Sequence, residues 1–222
     1  MNKPDLTLEN HLWQEGFRVI GCDEAGRGTW AGSLWVGVVT LREDDLLIVS
    51  EMLDSYNLND SKKMTPKQRA RVYRVVLETG IPYAVADATA GEIDAMGIEA
   101  AFVLALNRAG SGLMAKQQDR YAKIALLIDG RRYKDLKIRD VSLSEAIDFE
   151  VVAEDKLDQT SATVALASVV AKVHQSITML GLNQIFPEYG FEKHAGYPTK
   201  AHREAVQKHG LSVVHRTTWN VA

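Results

Sequence analysis

Residues 17–33, Phe17-Arg-Val-Ile-Gly-Cys-Asp23-Glu24-Ala-Gly26-Arg27-Gly28-Thr-Trp-Ala-Gly32-Ser33, restrict this chain more than any other stretch. The apolar run Val19-Ile20-Gly21-Cys22 reads as a buried strand, and it ends in two adjacent carboxylates before a loop of glycines and an arginine. Anions leaving a hydrophobic strand must be solvated, hydrogen-bonded or neutralised, and a divalent cation neutralises them most completely. Neighbouring strand residues point to opposite faces, so Asp23 and Glu24 can serve one site only if the strand twists or ends there, as the following glycines allow, or if Glu24 contributes its carbonyl. Gly26 and Gly28 let the backbone approach a ligand closely, while Arg27 offers a planar fork suited to phosphate.

The pattern recurs at Ile124-Ala-Leu-Leu-Ile128-Asp129-Gly130, a fully apolar strand followed by an acid and a glycine. A run this apolar suits a central strand covered on both faces, and in an open α/β sheet adjacent strand ends gather ligands. Around these two strands the sequence predicts a short amphipathic helix over 5–15 and strands over 34–41, 81–89 and 149–153. It also predicts helices from Thr65-Pro66 to about Glu78, over 91–106 and over 164–173, and a last helix capped by Thr199 that ends near Gly210. Gly110 to Gln118 reads as a helix end and loop.

Composition narrows the class. The 222 residues are 46% hydrophobic and 25% charged, as in a globular protein with a sizeable core. No apolar run approaches the ~20 residues of a membrane span, and no signal peptide is visible, so a cytoplasmic protein without a membrane is expected. The lone Cys22 cannot form an internal disulfide and reads as a small core residue. A net charge of −3 argues against nucleic-acid binding by bulk electrostatics. The basic stretch Lys62, Lys63, Lys67, Arg69, Arg71 and Arg74 softens that objection, as would cations bound at the acids. Four histidines between residues 194 and 215 lack the paired spacing of a structural zinc site.

Four separate motifs resemble ribonuclease HII, the type 2 ribonucleases H. The first is the glycine loop, with Gly21, Asp23, Glu24, Ala25, Gly26, Arg27, Gly28, Ala31 and Gly32 in register. The others are Asp60-Ser61-Lys62, the helix Ala167-Ser168-Val-Val-Ala171-Lys172-Val173, and Tyr189-Gly-Phe-x-x-His194-x-Gly196-Tyr197-Pro198-Thr199-x-x-His202 with the terminal His215-Arg216. The resemblance implies an α/β ribonuclease H-like fold: a mixed central sheet flanked by helices, with residues 1–180 as the catalytic domain and 181–222 as a helical substrate-binding extension of the same unit.

It further implies two Mg2+ or Mn2+ ions held by Asp23, Glu24, Asp129 and a fourth acid ten residues before Ser168, namely Asp158, with Asp155 as the fallback. Gly26, Arg27, Gly28, Lys62, Ser168 and Lys172 would contact the nucleic acid, and Tyr197 would stack on the sugar at the RNA/DNA junction. The implied activity is hydrolysis of RNA in RNA/DNA hybrids, and incision 5′ to single ribonucleotides in duplex DNA, by a monomer. Departures from the family pattern at Thr29, Trp30, Ser33, Gly97 and Leu166 bear on substrate preference or register. Two alternatives stand beside this reading. One is ribonuclease HIII, for which the chain before Phe17 is short; the other is a hybrid-binding protein without catalysis, in which four mutually repelling acids would have no purpose.

Overall fold

The computed structural model describes residues 3–115, 123–136 and 148–220. α1 (Thr7–Gln14) leads into β1 (Arg18–Ala25), which pairs antiparallel with β2 (Leu34–Thr40). α2 (Leu46–Ser55) and α3 (Pro66–Thr79) precede β3 (Tyr83–Ala88), which is antiparallel to β2. After α4 (Ala90–Met96) and α5 (Ile98–Met114), β4 (Lys123–Asp129) and β5 (Asp148–Glu154) extend the sheet on the other side of β1 as parallel strands. The sheet order is β3-β2-β1-β4-β5. α6 (Ala162–Ile185), α7 (Phe191–His194) and α8 (Lys200–His209) complete the chain.

Local chemistry explains most boundaries. Thr65 accepts from the Gln68 N–H while the Gln68 side chain accepts from Thr65, a reciprocal cap that starts α3 at Pro66; Gly80, in the left-handed region, ends it. The single helix expected over 91–106 is two, because Gly97 at φ 81° breaks the chain between α4 and α5. α5 then runs past Gly110, where a helix end was expected, because Leu106, Ala109 and Leu113 continue its buried face. α2 was not foreseen; its opening Leu-Leu-Ile-Val is too short and uniformly apolar to show a period.

Each face of the sheet carries its own core. Ile20, Cys22, Val36, Val38, Leu126 and Ile128 pack against Phe102, Leu106 and Leu113 of α5. On the opposite face Val39 and Leu41 meet Val72 and Val76 of α3 and Leu166, Val169 and Val170 of α6. α6 lies unusually close to the strands. A Cβ at Gly21 would sit 2.6 Å from the Thr163 backbone, and one at Gly37 2.6 Å from the Ala167 carbonyl oxygen. Among the described residues α6 is the one helix long and apolar enough to cross a membrane, but its first ten residues are all buried, as in a core helix. It also runs through residue 180 unbroken, so the boundary expected there falls inside a helix.

Candidate active site

Parallel pairing of β1 with β4 places Cys22 opposite Ile128, which sets Asp23 and Asp129 at neighbouring strand ends. β1 does not break at the acids: Glu24 still pairs with Val36 and Ala25 with Trp35, and the turn comes only at Gly26, with φ 89°. The two carboxylates therefore leave on opposite faces. Asp23 shares the α6 face with Gly21; Glu24 shares the α5 face with Cys22 and takes Arg27 Nε at 2.6 Å.

Asp23 is 2% exposed. Its Oδ1 accepts the Glu24 N–H at 2.7 Å and its Oδ2 has no partner. Burial, then the charges of Glu24, Asp129 and Asp158, hold its pKa well above the ordinary carboxylate value. Asp129 accepts the Leu157 N–H at 2.9 Å, and burial raises its pKa as well. Asp158, also 2% exposed, leaves Oδ1 without a partner; burial, followed by Asp129 and Asp60, pushes it up to about 7. The Lys62 ammonium lies among these acids: burial alone would lower its pKa, but Asp23, Asp60, Asp158 and Asp129 together raise it.

Among the described residues no three His, Cys, Asp or Glu side chains form a ready metal cage. The donor set nevertheless suits a hard cation. Asp23, Glu24 and Asp158 each keep a buried carboxylate oxygen without a hydrogen-bond partner, and unpaired buried oxygens of this kind are costly unless something positive meets them. Asp155 differs: it is exposed, lines the adjoining cleft and accepts the Arg131 N–H at 3.0 Å as the cap of a turn, whereas Asp158 is buried with the charges of Asp129 and Asp60 bearing on it.

A cleft of about 470 Å³ opens over this cluster, lined by Glu24, the Gly26–Gly28 loop, Lys62, Asp129, Lys172 and Tyr197, among others. Lys172 Nζ lies 5.5 Å from the Tyr197 ring centre, and burial, then Arg69 and Lys62, lowers its pKa to about 8. Two expectations change. Ser168 does not reach the cleft: it is buried, donates to Ser61 Oγ at 2.7 Å and accepts the Ser61 N–H, so it anchors the turn that carries Lys62. The Arg27 guanidinium is not a free phosphate fork. It is committed to Glu24, to Glu99 at 2.9 Å and to the Tyr133 hydroxyl, which leaves the loop backbone facing the cleft.

Comparison with known proteins gives the same assignment independently. The profile of the family described as Ribonuclease HII matches residues 20–222. The chain belongs to the ribonuclease HII family. A ribonuclease HII of Thermus thermophilus is 36% identical over 209 residues, 94% of this chain and 89% of that protein. The crystal structure of the ribonuclease H2 from Pyrococcus horikoshii OT3 superposes with a TM-score of 0.68 at 29% identity, covering 93% of this chain and 95% of that one. Bst-RNase HIII in complex with Mn2+ shares the fold, with a TM-score of 0.71 at 19% identity over 92% of this chain and 68% of that one. Membership makes the chain a type 2 ribonuclease H, an endonuclease of RNA/DNA hybrids from a metal-dependent family.

Several residues that shape the site of this ribonuclease HII were not singled out from sequence. Asp60, 5% exposed, binds the Lys62 N–H at 2.8 Å and raises the pKa of Asp158; it stood inside a quoted motif, but an acid two residues before a lysine gives no sign of facing another acid. Glu99 and Tyr133 hold Arg27 from 72 and 106 residues away, a contact no local pattern encodes.

Proposed function

We propose that this ribonuclease HII hydrolyses the RNA strand of RNA/DNA hybrids and also cuts 5′ to single ribonucleotides embedded in duplex DNA, leaving 5′-phosphate and 3′-hydroxyl ends. Asp23, Glu24, Asp129 and Asp158 hold two divalent ions, Mg2+ or Mn2+. The observation that carries this reading is the convergence of the acids: Asp23, Glu24 and Asp158 each keep a partnerless buried oxygen, the charges of Glu24, Asp129 and Asp158 all bear on Asp23, and Glu24 and Asp129 line one cleft. Two ions bound there would acidify the attacking water and neutralise charge on the scissile phosphate and the departing 3′ oxygen. The solved Mn2+ complex of a ribonuclease HIII with the same fold supports the choice of metal.

The remaining work falls to the protein. Arg27 orients Glu24 through Nε and is itself held by Glu99 and the Tyr133 hydroxyl; the two carboxylates, Glu24 foremost, keep its pKa up against the burial that would lower it. Lys62, in the turn before α3, and Lys172, on α6, supply positive charge to the phosphate backbone along the cleft. The loop backbone from Gly26 to Gly28 meets the ribonucleotide, and the Tyr197 ring packs against the adjoining sugar; a Cβ at Gly28 would lie 3.7 Å from Tyr197 Cε1. The segment beyond α6, which carries Tyr197, serves as the substrate-binding extension of the same compact unit, and the chain acts as a cytoplasmic monomer without a membrane. The test is a DNA duplex bearing one ribonucleotide and, separately, a continuous RNA/DNA hybrid, each incubated with protein and Mg2+. Incision 5′ to the lone ribonucleotide is expected; cutting of the hybrid alone would remove the second half of the reading.

A further inference from the structure

We infer that His202, His215 and Arg216 are positioning residues that fix the Gly26–Gly28 backbone relative to the Tyr197 ring, and thereby set how selectively the enzyme cuts beside a lone ribonucleotide. The inference deepens the substrate reading above and rests on it.

Arg216 is fully buried, a costly place for a guanidinium without a hydrogen-bonded carboxylate. Its donors go to main-chain carbonyls instead: Nη2 to Gly26 at 2.6 Å and Gly32 at 3.0 Å, Nη1 to Arg27 at 2.8 Å, and Nε to Gly32 at 3.2 Å. This has a directional consequence. In a planar trans peptide the C=O of one residue and the N–H of the next point opposite ways. Drawing the Gly26 and Arg27 carbonyls inward to Arg216 therefore turns the N–H groups of Arg27 and Gly28 outward, on the loop that lines the cleft. Those are the groups that a ribose hydroxyl or phosphate would meet.

The neighbouring His215 reaches the other half of the reader. The Ser212 N–H can only donate, so His215 Nδ1, 3.0 Å away, accepts. His215 Nε2 then carries the proton and donates to His202 Nε2 at 3.1 Å, which leaves His202 Nδ1–H to donate to the Tyr197 carbonyl at 2.9 Å. Burial first, then the neighbouring imidazole, lowers His215 to about 4, and burial lowers His202, so both rings stay neutral as this tautomer chain requires. The ring of His194 stacks on His202 at 4.5 Å, fixing its plane. The backbone closes the frame: Ala31 bridges His215, the Arg216 N–H donates to Trp30, and the Trp30 N–H donates to Gly196, next to Tyr197. One C-terminal dipeptide thus grips the glycine loop with one side chain and the tyrosine segment with the other.

The test compares kcat/KM on a single-ribonucleotide duplex with kcat/KM on a continuous hybrid. His202→Leu, which removes the donor to Tyr197, should lower that ratio on the order of tenfold. His202→Asn, whose amide can donate from the place of Nδ1, should restore most of it. In a Tyr197→Ala background His202→Leu should leave the ratio where Tyr197→Ala alone puts it. Arg216→Lys, which keeps the charge but loses the fork, should lower the ratio and provides the answer if His202→Leu does not fold. A role confined to stability would cut both rates in proportion, so an unmoved ratio in folded His202→Leu and Arg216→Lys overturns the inference, as does an additive loss in the double variant. A wild-type protein that leaves the single-ribonucleotide duplex intact overturns the substrate reading itself, an outcome distinct from a wild type that cuts and variants that do not discriminate.

Discussion

At the β1 end of the cleft Asp23, Glu24 and Asp158 each keep a buried oxygen with no partner, whereas on the C-terminal side Arg216 places its donors on three carbonyls and His202 and His215 satisfy one another. Both regions bury polar groups, and in each the cost of burial is set by what meets them. At Arg216, His202 and His215 the C-terminal frame meets its own polar groups, with Nδ1 of the stacked His194 left without a partner, and the frame carries no excess negative charge, so it behaves as scaffold. The acid cluster is offset only in part by Lys62, whose raised pKa records the excess negative charge around it. A region that satisfies itself holds a shape; one that does not has affinity to spare for a cation.

The comparison breaks most visibly at the acids. Asp129→Asn or Asp23→Asn should lower kcat/KM on a continuous hybrid on the order of a thousandfold or more, because each removes a charge from the metal ligand set. Hybrid binding in a gel-shift assay should persist, and the thermal midpoint should hold or rise as repulsion is relieved. Retained cleavage in Asp129→Asn would remove that residue from the site.

Next in size is a coupled pH and metal effect on stability. Asp158 titrates near 7 in the folded protein, well above the usual carboxylate range, so its protonated form favours the folded state; that contribution is complete below the unfolded pKa and is lost as pH rises through about 7. In EDTA the thermal midpoint should therefore fall between pH 6 and pH 8.5, and Mg2+ should raise it more at pH 8.5, where protons no longer compete. Asp158→Asn should flatten the pH dependence and shrink the Mg2+ increment. An increment independent of pH would place cation binding away from Asp158.

The self-satisfied frame should respond in the opposite way. Gly196 sits at φ 81°, where a Cβ would run into the Ala31 carbonyl and lie 3.1 Å from Met179 Cε. Gly196→Ala is expected to cost about 2 kcal/mol and lower the midpoint by about 5 °C, while leaving the Mg2+ increment intact. A lost increment would mean that the two regions are not separable.

How far each region could be read from sequence follows the same division. Strand ends announce themselves: an apolar run, an acid and a glycine located Asp23 and Asp129, and the parallel β1–β4 pairing sets them side by side. The α3 cap at Thr65 and the small-residue helix that packs closely on the sheet were legible because capping and side-chain size are local properties, while the mixed sheet was implied by the family resemblance. The commitments of individual side chains were not. Arg27 looked like a phosphate fork, because nothing near it in sequence shows that Glu99 and Tyr133 converge on it. Ser168 looked able to face substrate, yet helix spacing could not tell the cleft from the buried turn at Ser61. The Glu24 side chain was expected to need a strand break, and the ladder instead continues to Ala25, so its orientation depends on Arg27 three residues on, which Glu99 and Tyr133 hold from afar.

The smallest effect is the sharpest control. Glu9 of α1 is buried at the start of α6, where its Oε1 accepts from Ser161 Oγ at 2.6 Å and from the Thr163 N–H at 2.9 Å while Oε2 has no partner. Burial raises its pKa against those hydrogen bonds, so here too the protonated form favours folding, and that contribution is lost as pH rises through the folded value. By its unpaired oxygen alone Glu9 resembles Asp158, but its partners are Ser161 and Thr163, whereas the charges of Asp129 and Asp60 bear on Asp158. Glu9→Gln keeps an acceptor for the helix start and removes the charge, so it should stabilise by about 1 kcal/mol at pH 8 and change little in acid. Cleavage and the Mg2+ increment should both be unchanged. If Glu9→Gln also reduced the Mg2+ increment, an orphaned carboxylate oxygen would no longer distinguish a ligand site from an ordinary burial cost, and the case for Asp158 as a metal ligand would rest on its closeness to Asp129 and Asp60 alone.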